Sequence, residues 1–162
     1  MAGTRVTVSP IGRVSVDERG FALSVDEPFR AALRGLEGFS HLEVVFWCDQ
    51  VDTPELRRVL ECEQPYRKAP ARLGVFATRS PVRPNPIAIT PVQVLSLDRE
   101  AGVVRVASID AEPGTPLLDL KPYHPCIDRV RSVSVPDWCA HWPQWLEESA
   151  EFDWAGEFVN AR

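Results

Sequence analysis

Polar side chains able to hold a ligand fall in three separated groups along this chain. Asp49 and Gln50 follow a dense apolar run, Arg79, Arg83 and Asn85 lie in a proline-rich stretch, and Asp110 to Lys121 form the third group. A guanidinium fork grips a carboxylate, while an Asp or a Gln reads ribose hydroxyls or an amine. Together these types suit a nucleoside or an amino-acid-like ligand. Other chemistries lack their marks: no GxGxxG follows a strand, and there is no Walker loop, HExxH or GxSxG. His41 opens an apolar run and reads as structural, and no serine stands in a nucleophile context.

The chain is organised around residues 74–90, GVFATRSPVRPNPIAIT. Val75 to Ala77 read as a short strand opened by Gly74. Pro81, Pro84 and Pro86 then fix φ, remove three backbone donors and push the preceding residues towards extended conformations. A stiff connection carrying Arg79, Arg83 and Asn85 costs little entropy to order, which suits a grip on an anionic or polar ligand. The alternative is a proline-rich loop with solvated arginines.

Elements that could position these groups are read from periodicity. Val14 and Val16 alternate as a strand, and Phe21, Leu23 and Val25 as a second after a turn at residues 18–20. Asp26 caps a short helix with Pro28 in its first turn. HLEVVFWC (41–48) is a central strand delivering Asp49 and Gln50. Thr53 starts a helix with Leu56, Val59 and Leu60 as its buried stripe, and residues 61–72 form a polar connection. Residues 87–97 and 103–109 make a hairpin, 117–125 alternate until a proline, and DRVRSVSV (128–135) is the last strand. Many strands with little helix between them predict a mainly β fold: a single small β-barrel of about seven strands with two or three short helices. Converging strand-end loops of such a barrel would build the pocket.

With 162 residues, 44% hydrophobic and 25% charged, the composition is that of a globular domain with a real core. The sequence has no apolar run of bilayer length and no signal-peptide h-region, so it reads as cytoplasmic and without membrane association. Cys48, Cys62, Cys126 and Cys139 show neither a disulfide framework nor zinc spacing, so no metal is expected. The net charge of −5 is carried by residues 136–162, whereas residues 64–97 hold five cations and no acid. That local positive patch could meet phosphate. Division is expected into a barrel domain, 1–135, and an acidic tail, 136–162. The tail holds Trp138, Trp142, Trp145 and Trp154, the first three at i, i+4 and i+7, one face of a helix that Pro143 complicates. Packing on the barrel or on a partner subunit is favoured over base stacking, which needs a basic surround.

PIGRV (10–14), GLEGFSHL (35–42), GVFATRSPVRPNPIAIT (74–90) and GTPLLDLKPY (114–123) occur in an order that resembles the TsaA-like family from about Pro10 to Asp128. The resemblance implies a methyltransferase dependent on S-adenosyl-L-methionine, built on one β-barrel and working as a homodimer. The implied acceptor is N6 of threonylcarbamoyladenosine at transfer-RNA position 37. Position by position, it implies donor-binding roles for Asp49, Gln50, Arg79, Ile89, Asp110 and Thr115. Asp119, Lys121 and Tyr123 become candidates for the catalytic, acceptor-facing side, and Arg83 and Asn85 for substrate binding. Methyl transfer from a sulfonium needs in-line alignment above all, with a carboxylate or water to take a proton. Asp119 is the carboxylate of interest, against the plainer role of capping a turn.

The chain departs from the family pattern at several points. A tight turn within residues 16–23 replaces a Pro-Arg-Gln loop, Asp49 stands where a histidine is usual, Ala88 replaces a glycine and Pro113 an aspartate. The C-terminal domain of longer members is replaced by the tail. A small-molecule methyl acceptor is therefore a second possibility, and a non-catalytic nucleoside-binding domain a third.

Overall fold

The structure, a computed structural model, describes residues 6–160. Eight strands run in chain order: β1 (Gly12–Asp17), β2 (Gly20–Val25), β3 (His41–Trp47), β4 (Glu61–Glu63), β5 (Arg72–Gly74), β6 (Ile87–Asp98), β7 (Val103–Val106) and β8 (Pro116–Pro122). Six of them close an antiparallel barrel in the order β1-β2-β7-β6-β3-β8, and β4 pairs with β5 separately. The barrel is the expected fold with one strand fewer than the sequence pattern suggests.

Alternation produces the barrel's core. On β3, Leu42, Val44 and Phe46 are buried while His41, Glu43, Val45 and Trp47 are only partly covered. Val14, Leu23, Val92, Val104, Val106 and Leu117 join them from the other five strands. Each such side chain contributes roughly 1.5–3 kcal/mol of hydrophobic stabilisation. Gly12 is needed where β1 meets β2, because a Cβ there would lie 2.0 Å from the Ser24 carbonyl oxygen. The turn joining these strands closes on Gly20 at φ 95°, which a side chain would strain.

The chain groups into two compact units: residues up to 50 with 87–129, and residues 51–86 with those from 130 on. The first is the barrel. In the second, short 3-10 turns and the β4–β5 pair replace the helix and the featureless connection expected at 53–72. Thr53 does cap its turn, its Oγ1 accepting from Leu56 N–H at 3.2 Å, but Leu60 is exposed rather than part of a buried stripe.

Two strand expectations are corrected. Val75–Ala77 is a 3-10 turn, with the strand ending at Gly74, because the residues that follow turn back on themselves. Residues 129–135 form no strand, and Val130, Val133 and Val135 are exposed. A barrel closed by six strands offers no free edge to a seventh. The tail is not one helix either. It comprises 3-10 turns at Asp137–Cys139 and Leu146–Glu151 and a single α-turn at Trp154–Glu157.

Candidate functional site

On the barrel, β6, β3 and β8 lie side by side and present one outward face. Ile89 stands opposite Val45, which stands opposite Asp119, and the next row is Pro91, Glu43 and Lys121. Simple alternation from the buried Leu117 would turn Asp119 inward. A bulge between Val45 and Phe46 in the β3–β8 register skips Leu118 and sends Asp119 outward instead. This shift aligns Asp119 with Lys121, two residues on, and with Ile89 across the sheet.

The Lys121 Nζ lies 2.6 Å from Asp119 Oδ2, and Asp119 Oδ1 accepts from the Leu120 N–H at 2.9 Å. Hydrogen bonding and the charge of Asp119 push the Lys121 ammonium above its ordinary range, so it stays protonated. Both groups are substantially exposed, so the pair adds little to stability. Tyr123 extends the line past the end of β8. Its N–H donates to the His41 carbonyl at 3.1 Å, and its ring meets the His41 ring edge-on at 6.3 Å.

Strand ends hold the remaining barrel candidates. Asp49 and Gln50 are exposed on the 3-10 turn Asp49–Val51 that follows β3. Asp110 is exposed just after the buried Ile109. Thr115 is buried. Its carbonyl accepts from Val14 N–H at 2.9 Å, and the neighbouring Gly114 N–H donates to the Val14 carbonyl. Thr115 thus ties the loop before β8 to β1.

In the second unit, residues 75–83 form a self-braced loop. The Thr78 hydroxyl donates to the Val75 carbonyl at 2.9 Å and accepts from Ser80 N–H, and Ser80 Oγ accepts from Val82 N–H. Arg83 points inward, donating to the Val75 and Thr78 carbonyls at 3.3 and 3.4 Å, with its guanidinium carbon 6.0 Å from the centre of the Phe76 ring. Its charge is therefore engaged within the loop. Arg79 and Asn85 stand exposed, as does Phe76 at 80%. The supporting Thr78, Ser80 and Glu43 were not singled out from the sequence. Glu43 could have been, since it alternates outward between Leu42 and Val44.

Comparison with known proteins places these residues in a family frame. A family model, the tRNA-methyltransferase O N-terminal domain, matches residues 5–129. A probable S-adenosyl-L-methionine-binding protein of Halobacterium salinarum is 42% identical over 100 residues, covering 62% of this chain and 73% of that protein. The tRNA (adenine(37)-N6)-methyltransferase of Escherichia coli is 37% identical over 115 residues, covering 70% of this chain and 46% of the enzyme. Among solved structures, TrmO from Pseudomonas aeruginosa superposes with a TM-score of 0.62 at 30% identity, covering 81% of this chain and 62% of that one. The match thus spans under half of the E. coli enzyme and under two thirds of the solved chain.

Proposed function

This chain belongs to the tRNA-methyltransferase O N-terminal domain family, and from that premise we propose that it is a methyltransferase using S-adenosyl-L-methionine. Its acceptor is transfer RNA, at N6 of threonylcarbamoyladenosine in position 37. One observation carries this reading: a single family match runs through residues 5–129, taking in both the 74–90 stretch and the β8 motif. The names of the H. salinarum and E. coli relatives support the donor and the reaction respectively.

The side chains present fit the donor. Arg79, exposed on a braced loop, is the cation for its carboxylate. Asp49, Gln50 and Asp110, exposed at strand ends, supply acceptors and donors for its ribose and base. Ile89 gives an apolar contact, and Thr115 holds the adjoining loop. When bound, S-adenosyl-L-methionine supplies an electrophilic methyl carbon attached to sulfur. Asp119 takes the proton that the acceptor nitrogen sheds as it gains the methyl group. Lys121 holds that carboxylate in place, and Tyr123 flanks the acceptor. Asn85 contacts the substrate directly, whereas Arg83 serves it by shaping the loop. Most of the rate comes from alignment rather than from a strong base. The homodimer and the cytoplasmic location belong to the same proposal, the first checked by sedimentation equilibrium. Among the described residues, no helix is long and apolar enough to cross a membrane.

Calorimetry with S-adenosyl-L-methionine tests the donor. Arg79→Ala is expected to weaken binding about ten- to a hundredfold, the range for losing a charged hydrogen-bonded contact, without unfolding the protein. Retained affinity would mean that the donor sits elsewhere. Mass spectrometry of transfer-RNA nucleosides from a deletion strain tests the acceptor, and unchanged methyl-threonylcarbamoyladenosine would rule it out. One feature favours a second reading, a small-molecule acceptor: β1 and β2 are joined by a tight turn at Asp17–Gly20, where the family pattern carries a longer loop. Donor affinity combined with unchanged transfer RNA would select it.

A further inference from the structure

Within the second unit, Phe76 combines a fixed base with an uncovered ring. The ring is 80% exposed, more than any other phenylalanine, tyrosine or tryptophan among the described residues, with Trp145 next at 59%. The backbone beneath it is tightly held. Val75 is buried, its N–H donates to the Leu60 carbonyl at 2.9 Å, and three donors converge on its own carbonyl. These are the Thr78 N–H at 3.1 Å, the Thr78 hydroxyl at 2.9 Å and the Arg83 guanidinium at 3.3 Å. Pro81, Pro84 and Pro86 stiffen the rest of the loop. The Arg83 guanidinium carbon also lies over one face of the Phe76 ring, 6.0 Å from its centre, within reach of a cation–π contact. An exposed apolar side chain alone is ordinary. An exposed ring on a braced backbone, backed by a cation and open on its other side, is a prepared surface.

We propose that Phe76 is a stacking platform for an unpaired nucleobase of the acceptor RNA, with Arg83 backing the ring from the opposite face. The inference rests on the transfer-RNA acceptor proposed above. Unpaired RNA bases are bound by stacking on aromatic side chains and guanidinium planes, and every base carries the flat face this needs. Charge favours RNA over an apolar partner. Residues 64–86 hold five cations and no acid; Arg72 pairs with Glu61 at 3.6 Å, while Arg67, Lys68 and Arg79 are exposed. Shape favours a base of the RNA over the adenine of the methyl donor, because small-molecule sites are concave and this ring projects into solvent. A ring already held from below loses little freedom when a base settles on it, so less of the stacking energy is spent on ordering.

The test uses the full chain and an anticodon stem-loop RNA carrying threonylcarbamoyladenosine at position 37, with binding followed by fluorescence anisotropy over a range of salt. Phe76→Leu keeps apolar bulk and removes the flat ring. It should weaken RNA binding about five- to a hundredfold, the worth of one stacked base. The slope of affinity against salt should stay the same, since no charge is lost. Phe76→Trp, with a larger ring, should bind at least as tightly as the unaltered protein. Affinity for S-adenosyl-L-methionine should not change in either variant. Undiminished RNA binding by Phe76→Leu, or lost binding by Phe76→Trp, would overturn the stacking role. So would a fall in donor affinity, which would place the ring at the donor or make it a support of the loop. Dissociation of a dimer by Phe76→Leu, read by sedimentation, would assign the ring to a second copy of the chain and overturn the role as well. If the unaltered protein does not bind the stem-loop, the transfer-RNA reading falls and takes the platform with it. Equal binding by the unaltered protein and Phe76→Leu removes the platform alone.

Discussion

The barrel buries rows of Leu, Val and Ile that arrive by strict alternation from six hydrogen-bonded strands. Among the described residues the second unit has one short two-stranded sheet, β4–β5, and it is held by stacked rings, a buried carboxylate and side chains bonded to carbonyls. Aliphatic burial is insensitive to pH and tolerant of exchange between similar residues. A buried carboxylate held by an indole and an imidazole is neither, since each polar atom must keep its partner. The second unit is therefore the more sensitive of the two to acid and to the loss of a single polar partner.

The largest expected effect lies in the barrel. Leu117→Ala should cost about 2–5 kcal/mol in a denaturant titration, as a cavity in a closed core does. A loss below about 1 kcal/mol would show the barrel to be less tightly packed than its burial implies. Glu157→Ala comes next, at roughly 1–3 kcal/mol, because it leaves the Trp142 indole and His141 without their acceptor. The signal to follow is near-ultraviolet dichroism from the tail tryptophans, with the barrel's far-ultraviolet signal retained. Arg83→Ala should lower stability by only about 1 kcal/mol, while loosening the loop enough to weaken donor binding. Asp119→Asn should leave the melting temperature unchanged, since its ion pair is exposed, yet slow methyl transfer on the order of a hundredfold or more.

Acid sharpens the same contrast. Burial raises the Glu157 carboxyl, but hydrogen bonds from His141 and Trp142 and the nearby charges of His141 and Arg67 outweigh it and hold the group below its ordinary range. A depressed folded value means that its stabilisation is complete above the unfolded carboxylate range and is lost as pH falls through the folded value. The tail's tryptophan signal should therefore fade on acidification before the barrel unfolds, and Glu157→Gln should flatten that dependence. On the barrel, Asp17 is held to about 2 by its hydrogen bond to Arg105, the Arg19 backbone and their charges, so this surface pair persists further into acid.

Much of the barrel was legible because alternation and turns are local properties. β2, β3 and β6 begin or end within a residue or two of their expected limits, and Asp49 and Gln50 do follow β3. The candidate site was legible as residue types and as a family motif, and less so as geometry. Asp119 faces outward only because a bulge interrupts the register with β3. Arg83 looked equivalent to Arg79, and only the folded loop shows that its guanidinium closes on the carbonyls at 75 and 78.

By itself the sequence determined the mainly β architecture, the core residues and the family, since these follow from period-two burial and from a motif read in order. Tertiary structure decided what period two cannot. Residues 128–135 alternate as well as many real strands do, but the barrel closes in the order β1-β2-β7-β6-β3-β8 without them, and a strand forms only where it is paired. The tail tryptophans at 138 and 142 come together at 5.5 Å without a continuous helix, while Trp145, expected on the same face, is 59% exposed. Their meeting point, Tyr66, stands some seventy residues earlier in the chain. Only folding brings the two together, because the energy that joins them comes from burying distant rings against one another rather than from any local preference of the backbone.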